Sequence, residues 1–394
     1  MNQKIKGNLP IIILILLSSL GVIAGSFIAP IEVRFIQSLT HNPILIGLTF
    51  SIGTFFMFIF SLYLGRKSVV IGKRRILFIG LLTGLFYPLI YATSLTVFQY
   101  MFGRVAWALA CVASGTMINA LFQDIISKRK NIAELSGWYY SVRSIAGTVG
   151  AVAGGFIADF YGLLIPYYLV IAAYLISLAL FLSFMKPMEE EKSNVEPQKI
   201  SVSLKDIISN PFLFLRFFTE GITQSHWVME PILFPLILYA MTGTNAATGV
   251  VFGAMGVLAM ISNPLAGKLI DKTSPITGLK IAFILYTFSL LFLSLSRNFI
   301  PFIIGAVILS LGKTFNGPSM NKIETENIKN EYRGEYLSYF NIYDVLTGTL
   351  AAFIVGVLLV YFTPHQILFL FAIFTAVGFI GGMILFKMKL EAKK

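Results

Sequence analysis

Apolar residues run along this chain in long blocks separated by short polar stretches. Blocks long enough to cross a bilayer cover approximately 9–29, 44–64, 76–95, 97–121, 138–159 and 164–185, then 211–240, 247–265, 278–296, 299–319, 338–361 and 367–387. A helix rises 1.5 Å per residue, so about 20 apolar residues span the hydrocarbon core. The pattern predicts an all-α membrane protein with twelve transmembrane helices. The first block follows Lys4 and Lys6 and ends in small residues, as a signal peptide does. Cleavage there would leave eleven spans and break the repeat described below, so the block is read as a retained first helix.

Basic residues orient the spans. Of the 30 Lys and Arg, 24 fall at the termini or in the loops on the termini's side, whereas the opposite side has only Arg34 and Arg297. By the positive-inside rule both termini are expected in the cytoplasm, with the plasma membrane as the location. The longest polar stretch, 187–210, reads as a cytoplasmic linker between an N-terminal six-helix bundle, 1–186, and a C-terminal one, 211–394.

Composition agrees. The chain has 394 residues, 57% apolar and 12% charged, with mean hydropathy +0.82. These values exclude a soluble globule or a disordered chain. The net charge of +12 is explained by topology and attraction to anionic lipid, with no need for a nucleic acid. Cys111 stands alone, so no intramolecular disulfide is expected; His41, His226 and His365 are too scattered to suggest a metal centre. No cofactor is expected. The chain carries no phosphate-binding Gly-Lys-Ser/Thr loop and no HExxH motif, so an ATP-driven pump or an enzyme is not expected.

The second half repeats the first at an offset of about 200. Pro30 falls on Pro231, Gly65 on Gly267, and Gly115, Asn119 and Asp124 on Gly317, Asn321 and Glu326. Glu134, Gly147 and Thr148 fall on Glu335, Gly348 and Thr349. Duplicated, pseudo-symmetric six-helix halves are how many secondary transporters achieve alternating access.

Local motifs carry a family resemblance over essentially the whole chain. The loop LYLGRKSVVIGKRRIL, with Gly65, Gly72, Lys73, Arg74 and Arg75, resembles the cytoplasmic signature of the major facilitator superfamily, with Val69 at its acidic position. The partner loop AGKLIDKTSP supplies Gly267, Asp271 and Lys272, with Ser274 in place of the second Gly. Span four opens GRVAWALA, where Arg104 fits the family pattern and Trp107 and Ala108 replace its Gln-Gly pair. Span five contains AGTVGAVAGG; Gly150, Gly154 and Gly155 resemble the Gly-rich stretch of the family's exporters, although Ala151 stands where Pro is usual. Close helix packing is the favoured explanation of the small residues there. The resemblance implies transport of a small molecule by a monomer, with Gly65, Gly72, Arg74, Gly267 and Asp271 in gating loops.

Charged residues inside a membrane are costly and mark functional candidates. Here they are Arg104, Arg143, Arg216, Glu220, Glu230, Lys313 and Asp344. Span seven is the richest, with His226 and Glu230 four apart on one face and Pro231 and Pro235 beyond them. This pair could exchange a proton, or it could form a static contact that holds the bend. Glu220 is an equal carrier unless Arg216, one turn earlier, holds it. Arg104 could serve a cavity or a structural ion pair, and Lys313 has no partner nearby in sequence. Arg143 and Asp344 are related by the repeat, which suggests a contact that closes the cytoplasmic side; each could instead pair within its own half, Asp344 with Arg333 and Arg143 with Asp124 or Glu134. Trp107 and Trp227 are cavity candidates near these charges, or else packing and interfacial anchors. The expected function is a secondary transporter, proton-coupled (or driven by another ion) and exporting small amphipathic molecules. An uptake permease for a sugar or metabolite is the rival, and a non-transporting receptor is the alternative of another class.

Overall fold

A computed structural model of the chain describes residues 3–126, 132–184, 203–328 and 333–392. Fifteen α-helices account for nearly all of these: α1 (Gln3–Ile28), α2 (Glu32–Leu39), α3 (Pro43–Ile71), α4 (Lys73–Ala92), α5 (Val97–Ala110), α6 (Met117–Ile126), α7 (Ile132–Tyr161) and α8 (Ile165–Phe184) precede the linker region. A wider π turn, Cys111–Thr116, joins α5 to α6 into one span. After it come α9 (Leu204–Ser209), α10 (Pro211–Thr242), α11 (Ala246–Lys272), α12 (Pro275–Leu295), α13 (Phe299–Asn327), α14 (Arg333–Tyr361) and α15 (Pro364–Glu391). Residues 187–202 of the expected linker lie outside the described residues.

Among the described residues, eleven helices are long and apolar enough to cross a membrane. The twelfth span of the fold is α10. Its 32 residues are ample in length, but Arg216, Glu220, His226 and Glu230 dilute its apolar character. These four are buried, so the helix hides inside its bundle the polarity that lipid would not tolerate.

Local chemistry sets the helix ends. Asn42, Thr96 and Ser274 each cap the next helix by accepting a backbone N–H. Thr363 and Gln366 form a reciprocal capping box at α15. Gly72 adopts φ +94° between α3 and α4, a turn that disfavours any side chain.

Two compact units emerge, Met1–Asn194 with Gly243–Gly253, and Val195–Thr242 with Ala254–Lys394. Their internal packing repeats as the sequence does. In the first, α1 packs on α7 and α8, and α4 on α5 and α8; in the second, α10 packs on α14 and α15, and α12 on α13 and α15.

Close approach in the first unit depends on small residues. A β-carbon added at Gly150 would come 2.8 Å from Ile23 O, and one at Gly154 would overlap Phe27 O, so α7 lies against α1 backbone to backbone. The other face of α7 meets 243–253 in the same way, Gly155 against Asn245 O and Gly249 against Ala151 O. There the Asp159 carboxylate accepts hydrogen bonds from Asn245 N and Nδ2 at 2.8 Å and from Ala246 N at 2.7 Å, capping α11.

Candidate functional site

Each unit holds a buried ion pair close to a proline of its first span or of that span's continuation. In the first unit α1 ends before Pro30, which has no N–H to donate, and the chain restarts as α2 at Glu32. Val33, Phe35 and Ile36 bury this short helix, carrying Glu32 inward with them. Glu32 Oε1 accepts from Arg104 Nη1 at 2.8 Å and from the Tyr100 hydroxyl at 3.0 Å. Aromatic rings seal the pair. Tyr91 stacks on Tyr100 at 4.0 Å, Phe35 meets Tyr167 edge-on, and the Tyr100 and Tyr167 hydroxyls lie 3.3 Å apart. The guanidinium lies 4.1 Å from the centre of the Trp107 ring and 4.9 Å from that of Phe50. Gly53 leaves it room, since a β-carbon there would sit 2.8 Å from Arg104 Nε.

In the second unit the proline is Pro231, inside the continuous α10. Glu230 Oε2 accepts from Lys313 Nζ at 2.5 Å, bridging α10 and α13. The same ammonium lies 3.9 Å from the centre of the Trp227 ring. Among the described residues, Glu230 Oε1 is buried without a hydrogen-bond partner. Unlike the first pair, this one has an open neighbour, because Trp227 is 54% exposed.

The two pairs share a plan. Each joins an acid on the first span of its half, or on that span's continuation, to a base on the fourth, and each base lies over a tryptophan. The residues are not equivalent in the repeat register, where Arg104 and Lys313 fall on Ala306 and Cys111.

The neighbours differ from those expected from sequence. His226 and Glu230 share a face of α10, yet His226 Nε2 pairs at 2.7 Å with Thr375 Oγ1 on α15, and its ring meets Tyr286 edge-on. Glu230 turns to Lys313 because an ammonium offsets a buried carboxylate better than a neutral ring does. Arg216 does not hold Glu220. Its Nε donates to Glu324 at 2.7 Å and its Nη1 lies 3.5 Å from Asp344. Glu220 accepts instead from Gln224 at 2.8 Å.

Arg143 donates to the Tyr139 hydroxyl at 3.0 Å, and Asp344 faces Arg216. The side chains of Glu134 and Arg333, named above as alternative partners, lie outside the described residues. Arg74 sits over Phe181 at 5.7 Å, and its neighbour Lys73 pairs with Asp124 at 2.6 Å. Asp271 is exposed, 4.0 Å from Lys322. Added β-carbons at Gly65 and Gly267 would meet open space, so packing does not explain these two glycines.

Sequence reasoning missed Glu32, Glu324 and Thr375. Glu32 had a signal: the Pro30–Pro231 match sets an acid within two residues of each proline.

The two units share a plan of internal packing, and each holds a buried charge pair. The Major Facilitator Superfamily model matches residues 11–352 and, in a second alignment, 231–394. The chain belongs to the Major Facilitator Superfamily. Curated members similar to it include an uncharacterised MFS-type transporter of Methanocaldococcus jannaschii, 25% identical over 320 residues, covering 80% of this chain and 82% of that one. Another is the multidrug resistance protein MdtG of Salmonella arizonae, 26% identical over 312 residues, 74% of this chain and 73% of that protein. Among solved structures, the superfamily fold is shared with the nucleoside transporter NupG, with a TM-score of 0.77 at 12% identity over 96% of this chain and 99% of that one. A bacterial homologue of the human lysosomal transporter Spinster, in an inward-facing and unoccupied conformation, gives 0.76 at 12% identity over 99% of both chains. This superfamily member is therefore a multi-pass membrane transporter.

Proposed function

We propose that this transporter is a proton-coupled exporter of small amphipathic molecules, acting as a monomer in the plasma membrane with both termini cytoplasmic. The observation that carries the coupling is the Lys313–Glu230 pair, because one buried oxygen of Glu230 has no hydrogen-bond partner among the described residues. Ionised, the carboxylate holds the ammonium; protonated on Oε1, it loses the charge that holds Lys313. Protonation therefore has different contact energies in two arrangements of α10 and α13, which is the requirement for shifting a two-state equilibrium. Pro231 and Pro235, on the same helix, remove backbone hydrogen bonds where that helix must yield. Export is supported by the similarity to MdtG. The basic residues counted above support the orientation.

The test is uptake of a labelled panel of neutral and charged amphipathic compounds into proteoliposomes, with and without an imposed pH gradient. Export with proton exchange predicts accumulation only when the interior is acidic. Accumulation in the opposite gradient identifies a proton-driven uptake permease, and no accumulation in either removes the coupling.

A further inference from the structure

We infer that the Lys313 ammonium sits in a binding site for an organic cation, and that a positively charged substrate takes its place against Glu230 and Trp227. The inference rests on reading the chain as a carrier of small molecules. Its starting point is the chemistry around Nζ. A carboxylate oxygen at 2.5 Å and an indole ring at 3.9 Å are the two groups that recognise an alkylated ammonium, one by charge and one by the negative face of the ring. The chain's own lysine thus acts as a tethered occupant.

Three features favour exchange over a permanent lock. Among the described residues the carboxylate's second oxygen has no partner, so an arriving cation gains a charge contact that Lys313 leaves unused. Trp227 is about half exposed, which gives a flat ligand a surface to stack on. Lysine's flexible arm can withdraw, and a substituted ammonium is less strongly hydrated than Nζ. Replacing one cation by another also keeps Glu230 compensated throughout, avoiding an unpaired buried charge. The pair in the first unit shows the contrast. Arg104 is held by Glu32, boxed by Phe50 and Trp107, and closed in by Tyr100 and Tyr167, which are fully buried. That cation is fixed; Lys313 is the exchangeable one.

The test uses full-length purified protein and benzyltrimethylammonium, a cation that cannot lose its charge, titrated calorimetrically at pH 8. Lys313→Met removes the tethered occupant and should tighten binding at least tenfold over wild type. Lys313→Gln should do the same, giving a second variant if the first folds poorly, whereas Lys313→Arg keeps a tethered cation and should not tighten it. Adding Glu230→Gln or Trp227→Leu to Lys313→Met should abolish most of the gain. The neutral isostere neopentylbenzene should not distinguish the variants. Binding by Lys313→Met and Lys313→Gln no tighter than wild type would overturn the proposal, as would a gain that survives Glu230→Gln. The transport reading fails separately: a protein that moves no compound in liposomes yet shows this binding pattern keeps the cation site and loses the carrier role.

Discussion

Replacing Glu32 by Gln tests whether the first unit's charge pair is a structural anchor. The substitution keeps the side chain's shape but removes the charge opposite Arg104, with the two side chains only 10% and 5% exposed. An amide oxygen can still accept from Arg104 Nη1 or the Tyr100 hydroxyl, so the main loss is charge compensation. Breaking one partner of a buried pair costs about 3–5 kcal/mol. At ~2 °C per kcal/mol for a large chain, the thermal midpoint in detergent should fall by roughly 6–10 °C. Arg104→Met alone should cost a similar amount, because it leaves Glu32 unpaired. The double variant removes both charges and should recover at least half of the loss, since an apolar replacement of a buried pair is often neutral. A cycle with strictly additive losses, or a Glu32→Gln midpoint equal to wild type, would refute the anchor.

Gly53→Ala should force the Arg104 guanidinium off its position, because the new methyl lies 2.8 Å from Nε; overpacking of this kind costs about 1–3 kcal/mol, read as a lower thermal midpoint that Arg104→Met partly relieves. Asp159→Asn places an amide donor against the donors at Asn245 and Ala246, so deuterium exchange of those two amides should speed up, by an amount matching a lost cap of about 0.5–2 kcal/mol. Asp206 accepts from Ser203 N and Oγ, which holds its carboxyl below the usual carboxylate range. Its capping of α9 is therefore complete above the unfolded value of about 3.9 and lost as pH falls through the folded one, so exchange across α9 should rise only at strongly acid pH.

The twelve spans and the duplicated plan are legible in the sequence because length, apolarity and repeat register are properties of single segments. Even α10 is recognisable, although its four buried charged or titratable side chains weaken its hydropathy. The partners of the charges are not legible in the same way. His226 and Glu230 are neighbours along one helix, but each is satisfied by another, Thr375 on α15 and Lys313 on α13. Spacing along one helix shows which residues share a face; it does not show what that face meets. Glu32 was missed for a related reason. It lies beyond the end of the first apolar block, and only the burial of α2 by Val33, Phe35 and Ile36 brings it inside. Glu324 likewise follows the tenth apolar block and becomes a partner because α13 continues to Asn327.

The most direct test of the coupling role of Glu230 compares two rates for one neutral compound chosen from the transport panel. The first is accumulation driven by a pH gradient; the second is exchange across the membrane with equal pH on both sides. A neutral compound makes no demand on the carboxylate's charge, so exchange reports only whether the carrier still cycles. Glu230→Gln should reduce gradient-driven accumulation to the level seen without a gradient while retaining exchange within a few-fold of wild type. Accumulation by Glu230→Gln at the wild-type rate would contradict the account, because the proton would then be carried elsewhere.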